Sequence, residues 1–169
     1  MDNLIDALSS QYGFYKNGIV IVHNGLLRKI AKYIDKDQNQ MYLAFPKDYK
    51  EFLEKTNGGE LKFLSTYIDD TIQYTFFESV DDVRFNYQIC SSGNISYLDF
   101  LTEDDFRTLV ICVNSRLDNF GYIYGVDNEI GQIKLLACSF TDILNFMIKN
   151  LGKIKDSDDG IVSTLMNII

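Results

Sequence analysis

Adjacent carboxylates are the residues of this chain best suited to chemistry. Asp69-Asp70, Asp81-Asp82 and Asp104-Asp105 are acid pairs, and two carboxylates in different surroundings can divide acid and base roles in a hydrolase. Neighbours on one strand or helix point in different directions, however, so solvated pairs are the better reading of these three. Asp156-x-Asp158-x-Gly160 resembles the start of a calcium loop, but its glycine stands fifth rather than sixth. No bidentate acid closes the loop in the residues that follow, Leu165 among them. His23 is the only histidine, and it follows an apolar run and precedes Asn24-Gly25, the place of a structural histidine. Cys90, Cys112 and Cys138 make an odd count with no CxxC, which implies reduced thiols in a cytoplasmic protein. No phosphate-cradling glycine loop occurs. The residues therefore imply no cofactor and no metal, and read against an enzyme. A carboxylate hydrolase stays open, to be distinguished by metal-dependent turnover lost with one acid pair.

The elements that must position these residues follow from periodicity. Leu4, Ile5, Leu8 and Tyr12 predict a helix over 2–12, and Leu26, Leu27, Ile30, Ala31 and Ile34 a second through about 35. Ile19-Val20-Ile21-Val22 predicts a short buried strand. Asp35 to Gln40 reads as a loop. Pro46, the only proline, opens a helix over 46–56, because a first helical position has no use for the missing N–H. Tyr49, Phe52, Leu53 and Thr56 form its apolar face, and Asn57-Gly58-Gly59 ends it in left-handed backbone. Strands are expected at 61–67, 72–77, 109–113, 122–126 and 132–137, a helix at 80–87 after Ser79, and a loop at 91–94. Ser139 opens the last strong helix with Asp142 three residues on, and Phe140, Ile143, Leu144, Met147, Ile148 and Leu151 line its inner face. A polar linker at 156–160 leads to an apolar tail.

The chain has 169 residues and a net charge of −8. That charge argues against a nucleic-acid binder, which needs a basic stripe to neutralise phosphates. No apolar run of about 18 residues exists to span a membrane, and the acidic start lacks the basic region of a signal peptide. Residues 1–60 are neutral, whereas residues 65–133 hold twelve acids against three arginines. Those acids are Asp69, Asp70, Glu78, Asp81, Asp82, Asp99, Glu103, Asp104, Asp105, Asp118, Asp127 and Glu129. Gathered on one surface they would steer a basic partner; scattered, they serve solubility.

The block Phe45-Pro46-Lys47-Asp48-Tyr49-Lys50-Glu51-Phe52-Leu53-Glu54-Lys55-Thr56-Asn57-Gly58-Gly59-Glu60 resembles the signature of the SUKH superfamily, which groups a yeast cell-wall-assembly regulator domain with bacterial immunity proteins. Pro46, Tyr49, Phe52, Leu53, Asn57, Gly58 and Gly59 fall in register with its Pro-x-x-Tyr-x-x-Phe-Leu helix and Asn-Gly-Gly stop. Phe76 to Val83 resembles its strand and short helix, and Ser139-Phe140 its final helix start. The resemblance covers about 42–150. It implies an α+β fold in a single domain: N-terminal helices, a mainly antiparallel sheet and a closing C-terminal helix, over 1–155 with a tail at 156–169. It also implies a non-enzymatic, cytoplasmic immunity protein that neutralises a cognate polymorphic toxin, a nuclease or deaminase. The expected contact residues are Asp69, Asp70, Asp81, Asp82, Asp99, Glu103, Asp104, Asp105, Asp118, Asp127 and Glu129. Pro46, Tyr49, Phe52, Leu53, Asn57, Gly58, Gly59, Ser139 and Phe140 are expected to be architectural. A regulatory scaffold of the same fold is the other reading, and the oligomeric state stays open.

Overall fold

The computed structural model describes residues 1–32, 40–65, 72–86, 89 and 96–169. Helix α1 (Asp2–Tyr12) leads through β1 (Tyr15–Lys16) to α2 (Asn24–Lys32), a 3-10 turn (Gln40–Tyr42) and α3 (Lys47–Thr56). Strands β2 (Gly59–Leu64), β3 (Ile72–Phe77), β4 (Arg84–Phe85), β5 (Tyr97–Thr102), β6 (Arg107–Cys112), β7 (Ile123–Asp127) and β8 (Gln132–Ala137) follow. Helices α4 (Phe140–Lys149), α5 (Leu151–Lys155) and α6 (Gly160–Ile168) close the chain. The sheet order is β1-β2-β3-β5-β6-β7-β8, with β4 beside β5, and every pairing is antiparallel. This is the expected α+β architecture.

Side-chain alternation decides which face of the sheet is covered. Leu61, Phe63, Phe77, Leu98, Leu109, Ile111 and Ile123 point inward and join the core with residues of α1, α3, α4 and α6. The register slips between Asp99 and Leu101, so Phe100 and Leu101 are both fully buried. Helix α3 meets this face with Tyr49, Phe52, Leu53 and Thr56. The Phe140 ring lies 4.9 Å from Tyr49, 5.0 Å from Phe52 and 5.3 Å from Phe100. Burying each such ring contributes about 2–3 kcal/mol, and tilted or edge contacts add to it. Asp48 joins the two helix starts: its Oδ1 accepts the Tyr49 N–H and its Oδ2 the Thr141 N–H, at 2.9 and 2.7 Å. Ser139 Oγ accepts the Asp142 N–H and caps α4.

The Asn-Gly-Gly stop acts through backbone geometry. Asn57 and Gly58 have φ of 48° and 71°. A Cβ on Gly58 would stand 2.5 Å from the Phe77 carbonyl oxygen, so glycine lets the turn lie against the end of β3. The Asn57 Oδ1 accepts the Val80 N–H at 3.1 Å and fixes the next turn.

Several elements differ from expectation. Residues 19–22 form no strand, and Ile19 and Ile21 are exposed. The N–H groups of Asn17, Gly18 and Val20 bond instead to carbonyls of Gly58, Thr56 and Glu54, where the end of α3 leaves acceptors free. The helix expected at 80–87 is a single turn followed by β4. Ser79 does start that turn, its carbonyl accepting the N–H of Asp82 and Val83, but pairing of Arg84 and Phe85 with β5 stops it. Tyr87 lies outside the described residues. Pro46 occupies the cap, with extended ψ, rather than the first helical position. Strand β5 was not anticipated: Asp99 and Thr102 break its apolar run, and its bulge breaks the alternation. The loop expected at 91–94, most of that expected at 35–40, and the last residues of the strand 61–67 lie outside the described residues. So do Asp69, Asp70 and Cys90.

Candidate functional site

Strand direction gathers part of the acidity. In this antiparallel sheet, β2, β5 and β7 run one way and β3, β6 and β8 the other. The hairpins β5–β6 and β7–β8 therefore close at the same end of the sheet, the end where β2 stops and β3 begins.

The two hairpin tips are built alike. Asp104 Oδ1 accepts the N–H groups of Phe106 and Arg107, and Asp127 Oδ1 those of Glu129 and Ile130. Each carboxylate closes its own turn, a usual role for Asp there. The Asn128 N–H donates to the Phe106 carbonyl at 2.8 Å and joins the tips. Arg107 sits between them, its Nε 3.4 Å from Asp104 and 4.0 Å from Asp127. Its Nη1 donates to the Asp159 carbonyl and to Ser163 Oγ, drawing in the start of α6. Exposed Asp105, Glu129, Asp158 and Asp159 face solvent at this end. Asp158 and Asp159 stand in the segment expected to be a linker. No local pattern marks them, because the contact that brings them here runs from Arg107 across about fifty residues.

Glu103 turns inward. It accepts the Ile161 backbone N–H at the start of α6. Burial pushes its carboxyl up to about 7, against the opposing pull of the Ile161 and Val162 N–H groups and of Arg107.

Asp99 lies on the outer face of the sheet, in a groove of about 350 Å³ with Arg84, Asn86, Thr102, Thr108 and the 104–107 tip around it. Its Oδ1 accepts from Asn86 Nδ2 at 2.9 Å and Thr108 Oγ1 at 3.5 Å. Burial raises its pKa; the Asn86 hydrogen bond and nearby Arg84 oppose that. Asp81 and Asp82 stand exposed in the turn after β3, where Ser79 Oγ donates to Asp82 at 2.5 Å. Asp118 is in the β6–β7 connection at the opposite end. The structure thus brings Asp104, Asp105, Asp127 and Glu129 together and leaves Asp81, Asp82 and Asp118 apart.

The other polar residues have structural surroundings. Cys112 is buried with its Sγ 3.6 Å from Asn119 Oδ1, and Asn119 Nδ2 donates to both Tyr97 and Tyr124. Exposed His23 precedes α2, its carbonyl accepting the Leu26 N–H. Among the described residues no group of three His, Cys, Asp or Glu is placed to hold a metal, and no helix is long and apolar enough to cross a membrane. What the acidic end can do is present negative charge on turns that the Asp104 and Asp127 carboxylates close.

A model of the SMI1 / KNR4 family (SUKH-1) matches residues 31–145 of the chain. Neither the curated proteins nor the solved structures gave a match.

Proposed function

The chain belongs to the SMI1 / KNR4 family (SUKH-1), and from that membership we propose that it is a cytoplasmic, non-catalytic immunity protein that binds and neutralises a cognate toxin. The observation that carries the mechanism is the acidic end of the sheet, where Asp104, Asp105, Asp127 and Glu129 meet with Asp158 and Asp159 beside them. A nuclease or nucleic-acid deaminase presents a basic groove to its substrate. A rigid array of carboxylates competes for that groove because it offers charge where phosphates would lie, with turns already formed and little ordering cost on binding. The six acids are proposed as the steering charges. Asp99 is proposed to meet the partner through the groove behind them.

Co-expression with the toxin encoded beside the gene tests the proposal. Restored growth and a complex that survives gel filtration are the expected results. No rescue together with no complex defeats it.

A further inference from the structure

On the outer face of β2 and β3, four large apolar side chains stand in solvent. Leu64, Ile72, Tyr74 and Phe76 are 51%, 42%, 49% and 49% exposed. They are neighbours by register: Leu64 pairs with Ile72, Tyr74 with Lys62, and Phe76 with Glu60 on one side and Thr102 on the other. Scattered apolar residues on a surface need no explanation, but a contiguous group with two aromatics does. The core residues of these strands, Leu61, Phe63 and Phe77, all point to the opposite face.

Lys62 lies over the Tyr74 ring, its Nζ 5.8 Å from the ring centre, so one cation sits within the patch. It is the charge at the two ends that restricts what can cover it. At one end the Leu64–Ile72 pair reaches the end of the sheet that carries Asp104 and Asp105. At the other, Phe76 leads through Thr102 into the groove over Asp99, where Arg84 offsets part of the charge, so the acidic end supplies most of the rim. An anionic membrane or a nucleic acid is repelled by that rim. A second copy of this chain brings its own net charge of −8. A protein surface with an apolar centre and a lysine- and arginine-rich margin satisfies both parts.

We propose, resting on the immunity reading above, that the outer face of β2–β3 is the docking surface for the toxin, with Tyr74 and Phe76 as its apolar anchors and the acidic end as its charged rim. Aromatic anchors at the centre of such a contact hold the complex, and the rim charges bring it together.

The test is titration calorimetry with the catalytically inactivated toxin domain encoded beside the gene. The double variant Tyr74→Glu, Phe76→Glu is expected to weaken binding at least 100-fold, and Asp118→Lys to change it less than threefold. Hydrogen exchange on the wild-type complex gives a second reading that does not depend on a variant folding: slowed exchange across 72–77 is expected. Tight binding that survives the double variant, or unchanged exchange at 72–77, overturns the surface while leaving the immunity function standing. Failure of the wild-type chain to bind removes both. A wild-type dimer in sedimentation that Phe76→Glu dissolves assigns the face to self-association and overturns the proposal.

Discussion

Glu103, the residue after β5, accepts the backbone N–H of Ile161 in the first turn of α6, so a carboxyl held at about 7 ties the last helix to the sheet. Its Oε2 is buried with no hydrogen-bond partner to offset that burial, which is why desolvation outweighs the pull of the backbone N–H groups. In the unfolded chain the carboxyl titrates at about 4.5. The folded state therefore binds this proton more tightly. No penalty exists below pH 4.5; it grows as pH rises through the window and is complete above 7. Its ceiling is about 3 kcal/mol. Asp99, also raised by burial, adds a contribution of the same sign. Replacing Glu103 with Gln keeps the carbonyl acceptor and removes the charge. Glu103→Gln is expected to melt several degrees above wild type at pH 8 and level with it near pH 4.5, as thermal unfolding monitored by circular dichroism will show. A variant that melts lower at pH 8 refutes the assignment.

Gly58 supports a second prediction. Alanine there adds left-handed strain to a Cβ 2.5 Å from the Phe77 carbonyl oxygen and 2.6 Å from that of Glu78, both backbone atoms that cannot swing away. Gly58→Ala is expected to cost at least about 2 kcal/mol in urea unfolding. Gly131, also at positive φ but with nothing within 4 Å of its Cβ position, should cost only about 1 kcal/mol on the same change.

Asp48 gives a third. It accepts backbone N–H groups at the starts of both α3 and α4, 93 residues apart. Asp48→Ala is expected to destabilise by about 2 kcal/mol, and Asp48→Asn, which keeps one acceptor, by about half as much. Equal losses from the two substitutions would contradict the two-acceptor geometry.

What was legible in the sequence was local. The face of α3, the Asn57-Gly58-Gly59 stop and the Ser139 cap each depend on residues a few positions apart, and each stands where the periodicity put it. What was not legible depended on distant partners. Residues 19–22 have strand composition, yet the Val20 N–H, like those of Asn17 and Gly18 just before it, goes to the end of α3. Val80 has a helix start before it, yet β5 draws Arg84 and Phe85 into the sheet. The candidate surface divides in the same way. The excess of acid between 65 and 133 was countable, but its convergence followed from strand direction. The arrival of Asp158 and Asp159 followed from Arg107.

That convergence leads to an electrostatic prediction. Asp105 and Glu129 are exposed, and unlike Asp104 and Asp127 they close no turn, so reversing them changes the field without altering the tips. The double variant Asp105→Lys, Glu129→Lys is expected to fold as wild type. Its association with the toxin should slow about tenfold at low salt, with a much smaller change in dissociation. The wild-type rate should fall as ionic strength rises, because the Debye length shrinks to about 8 Å at physiological salt, and the variant's rate should fall less. Asp118→Lys, a reversal at the far end of the sheet, is the control and should leave the rate within twofold. Stopped-flow association across a salt series measures all three. If Asp118→Lys slows association as much as the double variant does, steering comes from net charge alone and the acidic end has no special part in it.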